Sequence, residues 1–236
     1  PLYRLAANSQ NAMYNQPEHL SFYLGEDIRG DVQAMQLPVP HIRYTSTPYI
    51  PADVDAQGTA EVTLLSDQLR QRLLNAQGDT AVIQLLPSAE ASKVIAHLPL
   101  DAFRNAPEGI KQLEVQIPGL ATFKINTALI DKMLKKDSTK LDLTVERIDS
   151  MTLSASDKNK VQGHPVYRFD VSFDGKKGEG FGHDLTIQVP YTLVGGEKPK
   201  KAVIYFINSK AKLTAANNGS YDPSTQTFSF QPGGNL

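Results

Sequence analysis

The chain contains no cysteine and no tryptophan, and its 24 basic residues are balanced by 25 acidic ones for a net charge of -1. Zero cysteine excludes disulfides, thiolate zinc sites, iron–sulfur clusters and cysteine nucleophiles together. It leaves the compartment open, because many bacterial surface proteins also lack the residue. The balanced charge argues against a nucleic-acid partner, since phosphate recognition needs a surplus of lysine and arginine on one face. No apolar run reaches the roughly 18 residues of a membrane span, and no basic-then-apolar leader opens the chain. A start at Pro1 reads as a processed or excised form. With 236 residues, against a prior of about 150 per domain, the chain holds one large domain or two smaller ones and enough surface to bury a core.

The usual catalytic signatures are missing too. The sequence has no Gly-x-Ser-x-Gly elbow, no phosphate-cradling glycine loop ending in Lys, no His-Glu-x-x-His and no calcium-loop consensus. The five histidines, His19, His41, His97, His164 and His183, show no metal-ligand spacing. His97 stands in an otherwise apolar run and reads as a structural, hydrogen-bonded histidine. No acidic residue lies in the apolar surroundings that would raise a catalytic pKa. The chain is therefore expected to be non-catalytic and to need no cofactor. The weak exception is calcium: Asp174, Glu179 and Asp184 lie on a glycine-rich stretch able to offer oxygen ligands. Its simpler reading is a solvated turn neutralised by Lys176 and Lys177. Lysines gather at Lys132, Lys135, Lys136 and Lys140 and again at Lys198, Lys200 and Lys201. They read as solubilising faces or, alternatively, as contacts to an anionic wall polymer.

What is present begins with a segment, residues 1–57, rich in proline and aromatics. Pro17, Pro38, Pro40, Pro48 and Pro51 break regular structure, and the segment reads as an ordered, extended arm. Its tyrosines Tyr14, Tyr23, Tyr44 and Tyr49 are candidate sugar-stacking residues, because flat rings cover sugar CH faces while the hydroxyls bond to sugar hydroxyls. Core packing is the simpler reading for most of the segment's aromatics, and the lack of tryptophan weakens the sugar reading further. From residue 58 to 150 a pattern repeats at intervals of about 30 residues. Three times an alternating apolar run passes into a short helical pattern and then into a second run. The leading runs are Glu61 to Leu64, Lys93 to Leu98 and Ala121 to Ile125. Ser66 and Thr127 are expected to cap the first and third helices, and Pro99 to open the second.

The last region, residues 160–236, reads as mostly β. Val166 to Phe173 puts Tyr167, Phe169, Val171 and Phe173 on one face, and Asp174-Gly175 turns the strand. Leu185 to Tyr191 follows. Ala202 to Ile207 is nearly continuously apolar and is expected to be covered on both faces. The polar stretch from Ser154 to Gly163 reads as an inter-domain link. The fold class is thus α+β, mostly β: a three-fold strand–short helix–strand repeat followed by an antiparallel β-sandwich-like domain.

Over about residues 58–230, the runs Ala60 to Leu64 with Asp67-Gln68-Leu69, Val94 to Ala106 and Ala121 to Leu129 resemble a module of secreted bacterial cell-surface proteins. Those proteins are associated with surface-layer-homology domains or polysaccharide-degrading enzymes. Gly163 to Phe169, Leu185 to Tyr191, Val203 to Ile207 and Gly219 to Phe230 look like its closing half. The family usually has one more strand where this chain stops at Gln231-Pro232-Gly233-Gly234-Asn235-Leu236, which reads either as a piece cut short of that strand or as a member that lacks it. The resemblance implies a non-catalytic structural or carbohydrate-binding module, secreted or at the cell surface of a bacterium. Its partners would be other domains of the parent polypeptide and cell-wall or environmental polysaccharide. Two other roles are consistent with the sequence: an accessory region packed on a polysaccharide hydrolase or lyase, and a self-assembling lattice component.

Overall fold

The computed structural model describes residues 49–177, 181–207, 213–216 and 218–232, which lie in one compact unit spanning Ser46–Leu236. Tyr14, Tyr23, Tyr44 and Glu179 lie outside the described residues. The fold is α+β and mostly strand, with few short helices and two mixed sheets that do not close into barrels.

Three consecutive strand–helix–strand passages build most of it. The first runs from β2 (Thr59–Thr63) through α1 (Ser66–Leu74) to β3 (Thr80–Pro87). The second runs from β4 (Lys93–Pro99) through a 3-10 turn (Leu100–Asn105) to β5 (Gln112–Ile117). The third runs from β6 (Ala121–Asn126) through α2 (Thr127–Leu134) to β7 (Lys140–Ile148). In each passage the strand before the helix and the strand after it belong to different sheets. Parallel and antiparallel pairing then places all three helical pieces at one end of the molecule.

Helix α3 (Ala155–Val161) follows, then β8 (Val166–Phe173), β9 (Lys176–Lys177), β10 (Leu185–Pro190), β11 (Tyr205–Ile207), β12 (Leu213–Ala215), β13 (Ser220–Asp222) and β14 (Thr227–Phe230). With the first strand, β1 (Tyr49–Ala52), they complete a seven-stranded sheet in the order β1-β3-β5-β6-β10-β14-β13 and a five-stranded sheet in the order β2-β4-β7-β8-β9. Strands β11 and β12 form a separate pair. The expected division between 58–150 and 160–236 is not a division of the sheets: β8 pairs with β7, and β10 with β6. The polar stretch expected as a link is instead α3, capped by the Ser154 hydroxyl, which accepts from the Asp157 N–H at 3.1 Å. It joins two strands of one sheet. Of the segment read as an arm, residues 1–48 lie outside the described residues, and Tyr49–Ala52 form the edge strand β1, running parallel to β3.

Alternation fills the space between the sheets. Ile83, Leu85, Val115, Phe123 and Ile187 from one sheet and Ala96, Leu98, Leu143, Val145 and Val171 from the other are all buried in one core. Phe123 meets Phe169 across the gap edge-on, with ring centroids 6.1 Å apart, and Phe169 meets Phe230 at 5.7 Å. Burial at about 25 cal/mol per Å² of apolar surface is the main force holding the two sheets together.

Three local expectations need correction. Leu65 and Asn126, not Ser66 and Thr127, hold the extended backbone of the cap positions. The Asn126 side chain accepts from the Ala128 N–H at 2.9 Å, and the Gln68 side chain accepts from the Leu65 N–H at 3.1 Å. The two hydroxyls instead tie the helices to their neighbours: Ser66 donates to Asp101 at 2.6 Å and Thr127 to the Ile110 carbonyl at 3.0 Å. The segment Ala202 to Ile207 is not covered on both faces. Only Tyr205–Ile207 is strand, and Val203 and Tyr205 are about half exposed.

Candidate functional site

Both sheets turn one face to the core and one outward, and the outward faces carry different chemistry. Registering the strands of the seven-stranded sheet gives one transverse row: Tyr49, Gln84, Gln116, Thr122, Gln188, Ser229, Ser220. Each strand supplies one residue, the five from Gln84 to Ser229 are each flanked by buried neighbours in their own strand, and none of the seven is charged. The Gln188 amide donates to Ser229 Oγ at 2.7 Å. In the adjoining row Glu114 and Lys124 sit 3.8 Å apart and offset each other's charge. At one end of the row Tyr49, Val82 and Leu86 are all substantially exposed, leaving an apolar border on β1 and β3.

The centre of this face is indented. Thr122 is shorter than Gln116 and Gln188 on either side, and the gap is walled by Pro118, Gly119, Pro190 and Thr227, giving a depression of ≈ 200 Å³. The Pro118-Gly119 turn between β5 and β6 closes with a Leu120 N–H to Ile117 carbonyl bond of 3.0 Å.

The five-stranded sheet presents charge instead. His97 on β4 lies between two carboxylates, with Nδ1 2.5 Å from Asp142 Oδ1 and Nε2 2.8 Å from Glu61 Oε1. Both ring nitrogens serve such partners only as N–H donors, so the imidazolium is the form that fits. Burial works against that charge, but the hydrogen bonds to Asp142 and Glu61 outweigh it and hold the His97 pKa above the ordinary value. Lys140 adds an ion pair to Asp142 at 3.2 Å, and Arg168 pairs with Glu146 at 2.9 Å. His97 is thus the hydrogen-bonded histidine its sequence setting suggested.

Opposite the helices, the mouth between the sheets opens as a cleft of ≈ 790 Å³ bordered by Leu86, Glu90, Ser92, Gly119, Arg147 and His164 among others. Beside it the Tyr191 hydroxyl donates to the Glu197 carboxylate (2.7 and 2.9 Å to its two oxygens) and lies 3.0 Å from His164 Nδ1. Burial first, then the bond to Glu197 and its charge, push the Tyr191 pKa up to about 12. The Tyr191 hydroxyl, and then the Val194 N–H, lower the pKa of Glu197. The Tyr221 hydroxyl donates to the Tyr191 carbonyl at 3.0 Å, so these contacts fasten the 191–197 loop to the sheets.

Of the residues singled out for sugar stacking, Tyr49 is the one described, and it stands at the β1 end of the neutral row. Of the calcium candidates, Asp174 is occupied by protein donors. Its Oδ1 accepts from the Thr139 hydroxyl (2.7 Å) and from the backbone N–H groups of Thr139 (3.1 Å) and Lys140 (3.0 Å). The Thr139 hydroxyl is the largest of the effects that hold the Asp174 pKa below the usual carboxylate range. Asp174 and Gly175 both have positive φ, 50° and 73°, the two-residue hairpin turn in which glycine is favoured. Asp184 enters the structure through its backbone, whose carbonyl accepts from Asn126. Among the described residues no group of three His, Asp or Glu side chains is placed to hold a metal ion, and no helix is long and apolar enough to cross a membrane.

The neutral row escaped sequence reading because its members are up to 180 residues apart, from Tyr49 to Ser229. The available signal was local: uncharged Gln84, Gln116, Thr122 and Gln188 at the outward positions of otherwise apolar alternations. No family model, curated protein or solved structure matches the chain.

Proposed function

We propose that the chain is a non-catalytic module of a large secreted or surface-layer-associated bacterial protein, with a carbohydrate-binding or structural role. In this reading it is a three-fold strand–short helix–strand unit continued by antiparallel sandwich strands, and other domains of the parent polypeptide are its neighbours. The observation that carries the reading is the uncharged amide- and hydroxyl-bearing row across the outward face of the seven-stranded sheet. Such a surface exchanges hydrogen bonds with polyhydroxy ligands without the cost of desolvating a charge. The groups with shifted pKa values elsewhere in the molecule support the non-catalytic part of it, because His97, Asp174, Tyr191 and Glu197 all have their hydrogen bonds directed to other parts of the protein.

Pull-down with insoluble and soluble polysaccharides tests the binding role, and retention on at least one polymer is expected. Release of reducing ends from the same polymers would overturn the non-catalytic reading. One observation favours the accessory-region alternative: the β11–β12 pair and its approach expose Val203, Tyr205 and Leu213, an apolar surface suited to a neighbouring domain. A catalytic domain encoded beside this segment and co-purifying with it would support that alternative.

A further inference from the structure

Resting on the carbohydrate-binding reading, we infer that the ligand is a neutral polysaccharide chain lying across the strands on the outer face of the seven-stranded sheet, with one sugar ring seated between Gln116 and Gln188 above Thr122. Four observations converge on this. The row Tyr49–Gln84–Gln116–Thr122–Gln188–Ser229–Ser220 is continuous over all seven strands, about 29 Å at roughly 4.8 Å per strand, the span of a chain rather than of a single sugar. Its functional groups are primary amides and hydroxyls, which donate and accept at once and so match sugar hydroxyls, themselves both donor and acceptor. Its charge matches a neutral ligand, for the row has none, and the adjoining Glu114, which accepts from the Gln116 amide at 2.7 Å, is offset by Lys124 at 3.8 Å.

The depression supplies the fourth. Its ≈ 200 Å³ lies midway along the row, with polar Gln116, Thr122, Gln188 and Thr227 in its lining and the rings of Pro118 and Pro190 as apolar walls. A sugar ring has the same division between hydroxyl edges and CH faces. The exposed Tyr49 ring with Val82 and Leu86 continues that apolar provision at the β1 end. An anionic polymer is disfavoured because the row offers no cation to it, and the opposite sheet carries the molecule's dense carboxylate pairs.

Affinity gel electrophoresis of the full chain in gels cast with hydroxyethyl cellulose, soluble starch, arabinoxylan, polygalacturonate or chitosan tests the inference. The expected result is retardation by at least one neutral polymer, weakened tenfold or more in Gln116→Ala/Gln188→Ala and in Thr122→Lys. All three changes are on outward side chains, and circular dichroism confirms the fold. Retardation that the variants leave unchanged would overturn this face while preserving the carbohydrate reading. Binding to polygalacturonate or chitosan alone would overturn the neutral ligand. No retardation by any polymer would overturn both.

Discussion

The two sheets share one core yet face solvent with opposite chemistries. Outward positions on the five-stranded sheet carry Glu61, His97, Asp142, Glu146 and Arg168, bonded across strands, with Lys140 paired to Asp142 along β7, while the central row of the seven-stranded sheet carries amides, hydroxyls and one tyrosine. Cross-strand charge pairs reward correct register, keep a face soluble and penalise the wrong neighbour. A neutral hydrogen-bonding face gives up those advantages. In a chain where 21% of residues are charged, a row of seven without charge sets the outward face of one sheet apart from that of the other.

The comparison breaks most severely at what the faces have in common. Phe123 is fully buried and touches both sheets through Phe169, so Phe123→Ala should cost about 3–5 kcal/mol in denaturant unfolding. Hydrogen exchange should show β6 and β8 losing protection together. If β8 to β14 kept their protection while β2 to β7 lost it, the shared core would be wrong.

Next in size is the charged face. The His97 pKa is raised in the folded state, so its contribution is full below the unfolded value of about 6.5 and is lost as pH rises through the folded pKa. The wild-type unfolding midpoint should therefore fall between pH 6 and pH 9. His97→Gln, which loses two charge-assisted bonds, should be destabilised by about 1–3 kcal/mol at pH 5.5 and by less at pH 9. A pH slope unchanged in the variant would remove His97 as its source. A smaller effect is expected at the rim: Arg168, two-thirds exposed, pairs with Glu146 for about 0.2–1 kcal/mol, and salt should erase the Arg168→Ala difference. Smallest is the neutral row, where Gln116→Ala should shift stability by no more than about 0.5 kcal/mol. A large loss there would mean that the row serves the fold.

Much of this architecture was legible in the sequence. The alternations at Lys93 to Leu98 and Ala121 to Ile125 and the two-faced run from Val166 to Phe173 declare strands, and the order strand–helix–strand appears three times as read. Pairing was not legible, because periodicity says which way a side chain points but not which strand lies beside it. For that reason residues 58–150 and 160–236 looked separable, whereas Leu185 to Gln188 are bonded to β6. The helix at Ala155–Val161 was missed since none of its residues is buried, so it carries no apolar stripe. The caps were misplaced by one residue because Ser66 and Thr127 are good cap types used here for tertiary bonds. The candidate site was the least legible part, as it exists only in the register of seven strands.

The central claim is that the difference between the two outward faces is functional. It is tested most directly by placing the same charge on each: Thr122→Lys in the neutral row and Thr144→Lys, which lies between Ile95 and Asp170 on the other sheet. Retardation on a neutral polysaccharide that binds the wild-type chain should be lost for Thr122→Lys and kept for Thr144→Lys. Equal retardation of the two variants, or loss only in Thr144→Lys, would contradict the account.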